Sequence, residues 1–82
     1  MNLPLLEKVR GIAADVLSVP ANQITPQSST ENVETWDSVH HLNLVLALEQ
    51  EFDLQFEPEE IDAMNSVERI LTVLETRQQQ RA

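Results

Sequence analysis

Apolar residues return at helical spacing in three separate stretches of this chain, and only one of its 82 residues is glycine. Leu5, Leu6, Val9, Ile12, Ala13, Val16 and Leu17 make the first stripe. His41, Leu44, Val45, Leu48 and Phe52 make the second, and Val67, Ile70, Leu71 and Leu74 the third. A recurrence near 3.6 residues suits amphipathic helices and does not suit the two-residue alternation of strands. Few aromatic residues and abundant Leu, Glu and Gln point the same way. The expected fold is all-α: a small four-helix bundle of three main helices plus a short third one, with a long loop between the first and second helices.

Local signals place the boundaries. The first helix is expected over Leu3 to Leu17, with Pro4 in its first turn, where a missing N–H costs nothing, and Ser18-Val19-Pro20 ending it. Turn-forming residues then fill a loop to Trp36, with Ile24 and Val33 as its apolar anchors. A loop this long in so small a domain is uncommon and usually functional or disordered. Asp37 is a suitable N-cap for a second helix that starts at Ser38 and runs to Glu51 or Phe52. A short helix is expected over Pro58 to Ala63. Asn65 and Glu68 fit a capping box for the fourth helix. The end of the chain, "TRQQQRA", has no apolar face and is expected to fray. This divides the chain into one domain, 1–76, and a tail, 77–82.

Charge and composition exclude several functions. The net charge is −9; no Lys or Arg occurs from Gly11 to Glu68, while Glu31 to Asp62 carries ten acids. Such a field repels nucleic acid and anionic membranes and attracts basic protein surfaces. Without cysteine there is no disulfide, thiolate metal site or nucleophilic thiol. No secretory signal is evident at the N-terminus, and no apolar run approaches the ~20 residues that span a bilayer. A cytoplasmic protein, expected to be a monomer and without membrane insertion, fits these features.

The second helix has one apolar stripe too many. On a helical wheel, Val39, Leu42 and Leu46 lie about 140° from the core stripe. Either this second stripe packs under the long loop or within a fully buried helix, or it offers apolar anchors to a partner, rimmed by Glu49 and nearby acids.

Ser38 sits at the head of that stripe. As a hydrolytic nucleophile it would need an adjacent base and a group to orient that base. His40 points to the other side of the helix and His41 to the core, and there is no G-x-S-x-G elbow. Adjacent histidines diverge by about 100° and cannot share a metal ion. "EFDLQFEPEE" lacks the EF-hand pattern, and phosphate loops need glycines that are absent. No catalytic or metal-ligating residue is assigned. Ser38 is either an ordinary helix-start residue or a serine presented for modification, since a helix N-terminus favours a phosphate ester.

"WDSVHHLNLVLALEQEFDLQFEPEEIDAMNSVERILTVLE" resembles the second half of an acyl carrier protein. That family attaches 4′-phosphopantetheine to the serine of a D-S-L motif at the start of its second helix. The motif here reads Asp37-Ser38-Val39. The resemblance implies that Ser38 holds the covalent arm and that Asp37 helps hold the magnesium used by a phosphopantetheinyl transferase. It implies that Val39, Leu42 and Leu46 form the apolar part of a partner face. Trp36 and Glu49 are assigned to the same face. The arm's thiol would carry acyl groups as thioesters between enzymes of a fatty-acid, polyketide or modified-lipid pathway. The partners would be an acyl-loading synthetase, ketosynthase or acyltransferase with basic docking patches. The protein itself would not be an enzyme.

Four positions depart from the common pattern. Trp36 stands where many fatty-acid carriers have a small residue, and it either packs on the loop or meets the arm. His40, Asn43 and Gln50 stand at positions often acidic in those carriers. These departures favour a specialised discrete carrier. Two alternatives stay open at this point: an aminoacyl carrier, peptidyl or D-alanyl, and an unmodified acidic helical adaptor that binds a basic partner.

Overall fold

A computed structural model describes residues 3–79. Within them lie four α-helices: α1 (Leu3–Leu17), α2 (Ser38–Phe52), α3 (Pro58–Ala63) and α4 (Val67–Gln79). One 3-10 turn, Ala21–Gln23, interrupts the loop between α1 and α2. The bounds of the first three helices are those the sequence patterns imply. No helix among the described residues is long and apolar enough to cross a membrane.

The apolar stripes meet in a single core. Val9, Ala13 and Leu17 from α1, Leu44 and Leu48 from α2, and Val67, Ile70 and Leu74 from α4 are sealed from solvent, together with Met64 after α3. Ile12, Val16 and Phe52, at the stripe edges, are only partly buried. Burying such a side chain contributes about 1.5–3 kcal/mol, which is what holds so short a chain together. Two helices end without glycine. Ser18 (φ 58°) and Asp53 (φ 52°) take the left-handed conformation that stops α1 and α2, a role short polar side chains tolerate. The N–H groups of Val19 and Leu54 then donate back to the carbonyls of Ala14 and Glu49, each at 3.1 Å.

The start of α4 differs from the expected capping box. Ser66, one residue later than expected, is the side chain that caps: its Oγ accepts from the Arg69 N–H at 3.2 Å. The N–H groups of Val67 and Glu68 donate to the carbonyls of Ser28 (2.9 Å) and Pro26 (3.0 Å). The Thr30 N–H donates in turn to the Asn65 carbonyl at 3.0 Å. The long loop therefore satisfies backbone donors that a helix start always leaves free. Buried Ile24 and Trp36 anchor it, and buried Ser28 accepts from the Thr25 N–H at 2.9 Å.

The other end of α4 also departs from expectation. Arg77 to Gln79 continue the helix instead of fraying. Arg77 pairs with Glu60 of α3 at 3.1 Å and donates to the Gln55 carbonyl, so it ties the helix end to the segment around α3. Glu60 is itself fixed, because the Glu57 N–H donates to its Oε1 at 2.8 Å. The rest of the expected tail, 80–82, lies outside the described residues.

Candidate functional site

Asp37 enters α2 with extended backbone (φ −95°, ψ −174°), and its Oδ1 accepts from the His40 N–H at 2.9 Å. That hydrogen bond defines an N-cap and makes Ser38 the first residue of the helix. The His40 ring turns back over this first turn, placing Nδ1 2.8 Å from the same carboxylate oxygen. The backbone N–H of His40, then its ring, hold the Asp37 carboxyl below its ordinary value of 3.8, because both favour the charged form. Ser38 is exposed to solvent. It borders a groove of about 380 Å³ whose wall includes Thr30, Asp37, Asp62 and Asn65.

Below Ser38 the helix shows two faces. Val39 is 66 % exposed, and Leu42 and Leu46 are 55 % exposed each. The second stripe therefore packs under neither the loop nor another helix, and faces solvent along the same helix as Ser38. Trp36 is a correction to the expected partner face: it is 2 % exposed and belongs to the core. Its indole N–H donates to Nδ1 of His41 at 3.0 Å, while Nε2 of His41 lies 2.8 Å from the Ile61 carbonyl. An indole N–H can only donate and a carbonyl can only accept, so His41 is the neutral tautomer with its proton on Nε2. Both ring nitrogens are thereby engaged away from Ser38, and His41 is no base for it. Glu49 also differs from a free rim acid. It is half-buried, and its Oε2 accepts from the Phe56 N–H at 2.9 Å, which draws it towards the turn after α2.

An accessible hydroxyl on the first residue of a helix suits a phosphodiester, since free N–H groups and the helix dipole both favour negative charge there. The groove beside it combines the polar side chains of Thr30, Asp37, Asp62 and Asn65 with the rings of Trp36 and His41, and it is open enough for an amide-containing arm. The residues present thus fit a phosphopantetheine group.

A small helical bundle that holds one serine out at a helix start, above an exposed apolar stripe, has the form of a carrier domain. Known proteins agree. A family model described as the phosphopantetheine attachment site matches residues 7–74. An acyl carrier protein of Thermosynechococcus vestitus is 36% identical over 67 residues, covering 82% of this chain and 83% of that protein. The solution NMR structure of a holo acyl carrier protein from Nitrosomonas europaea superposes with a TM-score of 0.79 at 28% identity. It covers 90% of this chain and 95% of the other. The chain belongs to the acyl carrier protein family, whose covalent cofactor is 4′-phosphopantetheine.

Proposed function

We propose that Ser38 is the attachment point of the phosphopantetheine arm and that the chain is a discrete, specialised carrier of acyl groups. The observation that carries this reading is the exposed Ser38 at the start of α2, with Val39, Leu42 and Leu46 exposed along the same helix. When bound, the arm supplies the thiol on which a cysteine-free chain can hold an acyl group as a thioester. The protein's own residues present and orient that group. Asp37, with its carboxylate kept charged by His40, stands next to the modified hydroxyl and is suited to help hold magnesium during modification. Val39, Leu42 and Leu46 give a partner enzyme three apolar anchors, and the surrounding acids attract a basic docking surface.

The carrier itself performs no catalysis: His40 is turned onto Asp37 and His41 onto Trp36 and Ile61, so neither ring is set to activate Ser38. Its chemistry is delegated to a phosphopantetheinyl transferase and to loading and transferring enzymes in the cytoplasm. Asn43 and Gln50, which are exposed and neutral, make the docking face less acidic than a fatty-acid carrier's. That favours polyketide or modified-lipid partners. The test is incubation with coenzyme A, magnesium and a broad-specificity phosphopantetheinyl transferase, followed by intact mass. A gain of one phosphopantetheinyl group by the parent chain, and none by Ser38→Ala, is the expected result. No gain by the parent chain would favour an unmodified acidic adaptor.

A further inference from the structure

Asp37 has two carboxylate oxygens, and the start of α2 uses only one of them. Oδ1 takes two bonds from a single residue: the backbone N–H of His40 at 2.9 Å, and the His40 ring through Nδ1 at 2.8 Å. No hydrogen bond among the described residues ends on Oδ2, and the Val39 N–H acts on the carboxyl more weakly than either His40 group. An ionised carboxylate only accepts, so the proton in the ring contact sits on Nδ1. The backbone N–H alone is enough to cap the helix. The ring adds something different. The terminal torsion of an aspartate is broad, and a second donor reaching the same oxygen narrows it.

We propose that His40 is a positioning residue for the modification of Ser38: its ring holds Oδ1 and leaves Oδ2 of Asp37, in one orientation, to the magnesium ion of the phosphopantetheinyl transferase. This rests on Ser38 bearing the arm and on Asp37 helping to hold that ion. Magnesium demands near-ideal octahedral geometry and takes one or two carboxylates beside substrate phosphates, so a carboxylate that is already oriented suits it. Groups that orient a metal-binding carboxylate typically change affinity or activity about 10- to 100-fold. The His40 ring is 38% exposed and the Asp37 carboxyl 60%, so water competes for the contact and the lower end of that range is expected.

His40→Ala tests this, because it keeps the backbone N–H and with it the helix cap. His40→Asn is the rescue, since its amide N–H stands at the same branch of the side chain as Nδ1. The three apo-proteins are modified with coenzyme A and a broad-specificity transferase over a range of magnesium concentrations, and intact mass gives the rates. His40→Ala is expected to need about tenfold more magnesium for half-maximal rate and to match the parent when magnesium saturates. His40→Asn is expected to stay within about threefold of the parent. A requirement for His40→Ala within about twofold of the parent would overturn the proposal, as would a His40→Asn variant as impaired as His40→Ala. A loss that persists at saturating magnesium would make His40 a contact of the transferase and overturn the positioning role. Ring nitrogen NMR of the unmodified parent at neutral pH gives a readout without the transferase: a proton on Nδ1 is expected, and a bare Nδ1 would overturn the geometry. No mass gain by the parent at any magnesium concentration overturns the attachment reading as well, whereas normal gain with unchanged magnesium dependence in His40→Ala overturns the role of His40 alone.

Discussion

The link between Trp36 and His41 has a stability consequence that does not depend on any cargo. Trp36→Phe removes the indole N–H and leaves Nδ1 of a half-buried imidazole without a donor, at a cost of about 1–2 kcal/mol. The smaller ring also leaves a gap in the core beneath the loop, adding roughly 1 kcal/mol. His41→Leu keeps similar bulk but strands both the buried indole N–H and the Ile61 carbonyl, so a loss of about 2–3 kcal/mol is expected. The double variant loses the shared hydrogen bond only once. A double-mutant cycle should therefore show a coupling of about 1 kcal/mol. Domains of this size are stable by roughly 4–12 kcal/mol, against about 2–3 kcal/mol lost by each single variant and about 3–5 kcal/mol by the double, so the cycle requires a parent stability above about 5 kcal/mol. Urea unfolding at neutral pH, followed by far-ultraviolet circular dichroism because the tryptophan is altered, measures the four stabilities. Single losses that add to within about 0.3 kcal/mol would show that the two side chains are neighbours without an energetic bond, and would refute the assignment.

Leu42→Glu and Leu46→Glu should each change unfolding stability by no more than about 0.5 kcal/mol, because both side chains already face water, while impairing acyl loading by a cognate synthetase; unfolding instead would place them in the core. Asp37 contributes stability through a depressed carboxyl. That contribution is fully present above the ordinary value of 3.8 and is lost as pH falls below it, so Asp37→Asn should flatten the acid limb of a stability–pH profile. Ser28→Ala removes the acceptor of the Thr25 N–H at a partly buried turn and should cost about 0.5–1.5 kcal/mol by urea denaturation, with increased amide exchange at Val67 and Glu68, whose N–H groups depend on this loop.

What could be read from the sequence was local. A recurrence of 3.6 residues, a proline at a first turn and an aspartate before an apolar run act within a few positions, so α1, α2 and α3 have the predicted bounds. The same locality exposed the surplus stripe of Val39, Leu42 and Leu46, and the resemblance that gives Ser38 its role runs through that helix.

Other features rest on contacts between distant residues. The sequence leaves Trp36 between packing on the loop and a place on the partner face; its acceptor is five residues on, and the carbonyl behind that acceptor twenty further. Glu49 reads as a surface acid until the chain turns and brings the Phe56 N–H to it. The fourth helix starts where the carbonyls of Pro26 and Ser28 arrive, about forty residues earlier in the chain, and Arg77 extends it by reaching Glu60. Helix period and capping are short-range properties of the chain and so are written in its order. Which buried donor meets which acceptor depends on how the helices pack, and only the folded bundle decides it.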